Sequence, residues 1–182
     1  MKDEELIEVL VEKAKKHDEE AFTELINNIE NQMYRIALLK LKSENDVYEA
    51  MQNTIILIYK NIKKLKDTKK FKSWAIKILM NECLKIINKN KRDLDIRTDY
   101  DERIGKTEYG FEKIESDNDL NKLLKNLNEN EKIVISLYYG EGYTTKEIAE
   151  ILSESEGTIK SRIRRAKTKI KKYIEEEKIY EW

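Results

Sequence analysis

The sequence of 182 residues has no proline, one cysteine and one histidine, and none of its five glycines falls before Gly105. A lone Cys83 cannot close an internal disulfide, and with His17 as the only imidazole there is no Cys/His set for a zinc site. No cofactor is expected. No run of about 18 apolar residues exists, so no direct membrane insertion is expected. The start, Met-Lys-Asp-Glu-Glu, lacks the basic start, apolar stretch and small-residue cleavage site of a signal peptide, and the expected location is cytoplasmic. Sustained period-two alternation is also missing. Apolar positions recur at threes and fours, and without Gly or Pro the first hundred residues read as helices joined by polar turns. The expected fold class is all-α.

A net charge of one sign is absent as well: 36 Lys+Arg face 36 Asp+Glu, and the formal sum is zero. That balance argues against a uniformly basic nucleic-acid coat, but it conceals a segregated pattern. Residues 1–59 carry −6, residues 60–92 carry +10, residues 93–117 carry −5, residues 118–159 carry −4, residues 160–172 carry +8 and residues 173–182 carry −3. Two basic patches are therefore set among acidic stretches. The segment 93–117, with two glycines, Asp99-Tyr100-Asp101 and little helical periodicity, reads as a flexible acidic linker. Two small helical domains are expected, 1–92 and 118–182.

In the first domain, Lys2–Lys16 and Asp18–Asn28 read as amphipathic helices, the second with Ala21, Phe22, Leu25, Ile26 and Ile29 as its core face, and a separate helix covers Glu30–Lys42. From Ser43, whose hydroxyl suits an N-cap, a longer helix carries the apolar stripe Val47, Met51, Ile55, Ile58 and Ile62. Another face of it presents Asp46, Glu49, Gln52 and Asn53, a set for which solvation is the ordinary reading. Asn61–Lys72 is lysine-dense with a turn near Asp67-Thr68. The helix after it turns Phe71, Trp74, Ala75, Ile78, Leu79 and Ile86 inward. Lys77, Asn81, Lys85 and Asn88 recur on its other side at spacings of 4, 4 and 3, a stripe of cations and amides suited to phosphates and base edges.

In the second domain, Asn128-Glu-Asn-Glu131 and Thr144-Thr-Lys-Glu147 have the form of capping boxes, so helices should start near Glu129 and Thr145. Thr145–Leu152, a turn at Ser153–Ser155 and a helix from Glu156 to Glu175 compose a helix-turn-helix. Ile159, Ile163, Ala166, Ile170 and Tyr173 form the buried face of the last helix. Its outward positions, Lys160, Ser161, Arg164, Arg165, Lys167, Lys171 and Lys172, include no carboxylate. The chain has 7 Arg in all, and three of them, Arg162, Arg164 and Arg165, lie here. Arginine's planar fork can bind guanine O6 and N7 with two hydrogen bonds, which suits base readout.

With these segments in view, the chain resembles the extracytoplasmic-function (ECF) sigma factors, two-domain promoter-specificity subunits of bacterial RNA polymerase. Asp46-Val-Tyr-Glu-Ala-Met-Gln-Asn-Thr54 is similar to their polymerase-docking segment. Phe71-Lys-Ser-Trp-Ala-Ile-Lys-Ile-Leu-Met-Asn81, trailing into Asn88-Lys-Asn-Lys-Arg92, is similar to their −10 helix, and Gly157-Thr-Ile-Lys-Ser-Arg-Ile-Arg-Arg-Ala166 to their −35 recognition helix. The resemblance implies core polymerase binding through Asp46, Glu49, Gln52 and Asn53. It implies capture of single-stranded −10 DNA by Lys69, Lys70, Lys77, Asn81, Lys85, Asn88 and Arg92. Duplex −35 DNA would be read by Thr158, Lys160, Ser161, Arg162, Arg164, Arg165 and Lys167, with Arg162 open between phosphate contact and packing. It also implies an anti-sigma factor, which can be membrane-anchored. The chain departs from the family where Glu49 replaces the usual Asp, Ala50 a larger apolar residue, Asn53 an acid and Ser153 a turn Gly. The rival reading is a helix-turn-helix regulator that does not join polymerase. An enzyme is not expected, for the sequence offers no phosphate loop, metal cluster or triad.

Overall fold

The computed structural model describes residues 2–41, 43–97, 124 and 126–179, and these are helical, with no strand among them. The chain divides into two compact units, Met1–Glu108 and Tyr109–Trp182. The expected linker lies outside the described residues from position 98 onward.

The first unit holds α1 (Lys2–Ala14), α2 (Glu19–Lys40), α3 (Glu44–Asn61) and α4 (Phe71–Arg97). Asp18 caps α2 by accepting from the Ala21 amide at 2.9 Å. The helix then runs without the break expected at Ile29. Asn27, Asn28 and Asn31 are weak helix formers, but Leu25, Ile29, Met33 and Ile36 stay on one fully buried stripe, and that tertiary gain outweighs a few tenths of a kcal/mol of propensity. Ser43 caps α3 as expected, and acidic Glu44 and Asp46 lie in the first turn, where the helix dipole favours them. Two 3₁₀ turns, Ile62–Lys64 and Thr68–Lys70, lead into α4. α4 packs against the other three helices, so its buried arc is wide. Phe71, Ala75, Ile76, Leu79, Met80, Cys83 and Ile86 are buried, whereas Trp74 and Ile78, expected inside, are half-buried. The helix continues past the expected domain end at 92 to Arg97.

The second unit holds α5 (Glu129–Ile135), α6 (Thr145–Leu152) and α7 (Glu156–Ile179). Both expected capping boxes are formed, Asn128 with Glu131 and Thr144 with Glu147. A π-helical turn at Ser136–Gly140 and Gly142 at φ 75° carry the chain from α5 to α6. Ile133, Val134, Leu137, Ile148, Ile151, Ile159 and Ala166 fill the core. On α7, Ile170 and Tyr173 are half-buried, because the core ends near Ala166. No helix among the described residues is long and apolar enough to cross a membrane.

Candidate nucleic-acid interface

In the first unit, α3 and α4 run antiparallel, which brings the start of α3 beside the end of α4. Asn90 Nδ2 donates to Asp46 Oδ2 at 2.9 Å, and Lys89 Nζ lies 3.7 Å from Glu49 Oε1. The polar face of α3 is thus flanked by amide and ammonium groups that the sequence pattern did not single out, although an antiparallel hairpin of these two helices would have paired them. Glu49 and Gln52 are exposed, and Asp46 and Asn53 are half-buried. Tyr48, Ile56 and Tyr59 are exposed on the same helix, so α3 presents a mixed acidic and apolar surface.

The lysine-dense connection is held at several points. Leu65 is buried, Asp67 Oδ1 accepts from the Lys69 amide at 3.1 Å, Thr68 Oγ1 donates to Glu8 Oε2 at 3.3 Å, and Ser73 Oγ donates to the Lys70 carbonyl at 3.1 Å. Lys69 and Lys70 are exposed immediately before the N-terminus of α4, where their ammonium groups and the positive end of the helix dipole together favour a phosphate, although the Lys69, Lys70 and Phe71 amides are taken by Asp67 and Thr68. Farther along α4, Asn81, Lys85, Asn88 and Arg92 are exposed and Lys77 is half-buried, all on the side away from Leu79, Cys83 and Ile86. Lys85 is already engaged with the buried Glu82 carboxylate at 2.6 Å.

In the second unit, the geometry of the helix-turn-helix follows from its caps. Ser153 closes α6 in the left-handed region at φ 54°, ψ 41°, and the Glu154 amide returns to the Ala149 carbonyl at 3.0 Å. Ser155 Oγ accepts from the Thr158 amide at 3.1 Å and caps α7, with the Thr158 hydroxyl 2.8 Å away. Thr145 Oγ1 donates to Glu156 Oε1 at 2.7 Å, tying the starts of the two helices together. Lys160 pairs with the same carboxylate at 2.8 Å, and hydrogen bonds from Lys160 and Thr145 hold its pKa below the usual range.

The face of α7 without carboxylates in its own sequence meets carboxylates from elsewhere. Glu154 grips Arg162 at two points, Nη1 to Oε1 at 3.0 Å and Nη2 to Oε2 at 2.8 Å, and the Arg162 side chain is 14% exposed. That arrangement makes Arg162 a packing and pairing residue rather than a surface cation. Glu131 accepts from Lys169 Nζ at 2.7 Å. Burial pulls the Glu131 pKa up, but the Lys169 hydrogen bond, the Asn128 amide and the charges of Lys169 and Arg165 together hold it below the ordinary value. Lys167 sits 5.3 Å from the centre of the Tyr139 ring, and the Tyr139 phenol raises its pKa. Arg164 and Arg165 are exposed and donate to no side chain among the described residues, while Ser161 is half-buried with its hydroxyl on the Thr158 carbonyl at 3.0 Å.

Comparison with known proteins follows the same division. The family model described as Sigma-70 region 2 matches residues 25–93, and that described as Sigma-70, region 4 matches residues 123–172. RNA polymerase sigma factor SigV of Bacillus subtilis (strain 168) is 30% identical over 141 residues, spanning 78% of this chain and 83% of SigV. ECF RNA polymerase sigma factor SigW of the same organism is 24% identical over 181 residues, spanning 93% of this chain and 97% of SigW. Among solved structures, the sigma factor RpoE of Bartonella quintana, in complex with the anti-sigma factor NepR, superposes with a TM-score of 0.66 at 20% identity over 85% of this chain and 96% of that one. CnrH, in complex with the cytosolic domain of CnrY, superposes with a TM-score of 0.64 at 18% identity over 93% of this chain and 97% of that one.

Proposed function

The chain belongs to the extracytoplasmic-function (ECF) family of RNA polymerase sigma factors, and from that membership we propose how its two units divide the work. It is an alternative sigma factor that binds core RNA polymerase and directs promoter-specific transcription initiation. Its action is binding, without bond-making chemistry.

The region of 1–92 docks on polymerase through the α3 face of Asp46, Glu49, Gln52 and Asn53, with exposed Tyr48 and Ile56 adding apolar contact. Lys69 and Lys70 take the phosphates of the melted −10 strand, while Lys77, Asn81, Asn88 and Arg92 line the track for its unstacked bases, whose edges are open for readout, and Lys85 borders that track while bonded to the buried Glu82. The region of 118–182 places α7 in the major groove of duplex −35 DNA. Arg164 and Arg165 carry base readout there, and Lys160, Ser161 and Lys167 contact the backbone. Thr158 acts through the cap of α7. Arg162, gripped by Glu154, acts by holding the turn rather than by touching DNA. The segment 93–117 joins two surfaces that polymerase separates. The protein works in the cytoplasm, where an anti-sigma factor, as in the RpoE complex, is its inhibitory partner.

The observation that carries this reading is the pair of exposed guanidinium groups on α7, Arg164 and Arg165, which donate to no side chain among the described residues, in a capped helix-turn-helix that follows a region 2 match in the order of the family. Reconstituted transcription tests it. Added protein should confer start-site specificity on core polymerase, and Glu49→Lys should abolish association with core. Duplex DNA binding without initiation at any candidate promoter would instead identify a regulator that does not join polymerase.

A further inference from the structure

The cations of α7 are not equivalent. Glu131 is nearly enclosed, its side chain 4% exposed, and its Oε2 accepts from both Lys169 Nζ at 2.7 Å and the Asn128 amide at 2.9 Å. Glu154 holds Arg162 with two parallel bonds, and the Arg162 side chain is 14% exposed. Drawing Lys169 toward a phosphate would leave the enclosed Glu131 carboxylate uncompensated, which is costly; Glu154 is 31% exposed, and Arg162 is kept in place by its own burial and its two-point bond. The pairs Lys160–Glu156 and Lys171–Glu175 differ in kind. Both are exposed pairs four residues apart on one helix, and such pairs yield readily to a competing anion.

We propose that Glu131 and Glu154 withhold Lys169 and Arg162 from DNA, so that α7 delivers its charge to the duplex through Arg164 and Arg165 at the bases and Lys160 and Lys167 on the backbone. The inference rests on reading α7 as the duplex-reading helix. Its consequence is for specificity. A cation that reaches phosphate adds affinity for every sequence alike, by releasing a counterion, and each such contact steepens the fall of log K with log[salt] by about 0.9. Two carboxylates that keep two cations home lower binding to the excess of non-promoter DNA, while Arg164 and Arg165 donate to no side chain among the described residues.

The test is binding of the full chain to a −35 duplex and to a scrambled duplex by fluorescence anisotropy, across salt from about 50 to 200 mM. Glu131→Gln retains a capping box, since Gln serves at that position, but removes the charge that holds Lys169. The salt slope should steepen by about 0.9 on both duplexes, with several-fold tighter binding to the scrambled one. Adding Lys169→Ala to that variant should return the slope to its original value. An unchanged slope in a Glu131→Gln protein of native helicity overturns the proposal. Should that variant fail to fold, Lys169→Ala alone decides: the slope should not move, and a slope shallower by about 0.9 would show that Lys169 already contacts phosphate, against the proposal. Arg165→Ala separates the premise from the inference. If it leaves discrimination between the two duplexes intact, the reading of α7 as the base-reading helix fails, whatever the slopes show.

Discussion

Ser153 is the residue whose replacement should improve the protein. It closes α6 at φ 54°, in the left-handed region where a Cβ crowds the following carbonyl. A non-glycine residue in that conformation costs about 1–2 kcal/mol. Ser153→Gly removes the cost, and the greater freedom of glycine in the unfolded chain returns roughly 0.5–1 kcal/mol of it. Nothing else is lost: Ser153 is exposed, and the turn's own bond, Glu154 amide to Ala149 carbonyl at 3.0 Å, is made by the backbone. The second unit should gain about 0.5–1 kcal/mol, or roughly two- to fivefold slower exchange of its most protected amides. Native-state hydrogen exchange reads this at Ile148 and Ile163, with Ile76 and Leu79 of the first unit as an internal reference that should not change. Equal or faster exchange at Ile148 and Ile163 would refute the argument that the turn stores strain.

Arg165→Ala should cost about 1–3 kcal/mol of −35 discrimination, measured as the ratio of affinities for the native and a substituted −35 duplex; an equal loss on every sequence would mean a phosphate contact only. Glu131 gives the second unit an acid limit. Its folded pKa lies below the ordinary value of 4.5, so its contribution to stability is complete above about pH 4.5 and disappears as pH falls through the lower folded value. Melting of the second unit should therefore become less stable with acid in wild type and less steeply so in Glu131→Gln, and parallel pH profiles would contradict the pairing with Lys169. Burial raises the Cys83 thiol to about 12, so the native chain should resist a thiol-specific disulfide reagent at pH 8 and react only on unfolding. Reaction at the rate of a free thiol would mean that the α4 core is open.

Local signals carried most of the architecture. Ser43, the two capping boxes and the Ser153–Ser155 turn are each written in three or four consecutive residues, and each forms as its residues dictate. What depended on distant packing was less legible. The polar run around Asn27, Asn28 and Asn31 reads locally as a break, yet the buried stripe from Leu25 to Ile36 carries α2 straight through it. The inward side of α4 is broader than a single stripe because three helices meet it, which buries Ile76, Met80 and Cys83 fully and leaves Trp74 half-buried against Phe71, ring centres 6.3 Å apart. The counter-charges of α7 were the least accessible to window arithmetic. Within 160–172 there is no carboxylate, but Glu131 comes from α5 and Glu154 from the turn, and only the fold brings them under Lys169 and Arg162.

The division into two separate cores has a bearing on synthesis. The first unit ends at Glu108, its last described helix at Arg97, and its helices pack on one another. Helical domains with sequence-local contacts close in microseconds to milliseconds. The ribosome adds residues at about 5–20 per second, so it needs roughly 4–15 seconds to deliver the remaining stretch from Tyr109 to Trp182. The polar face of α3 and the basic stripe of α4 are therefore finished on the nascent chain before α7 has been made.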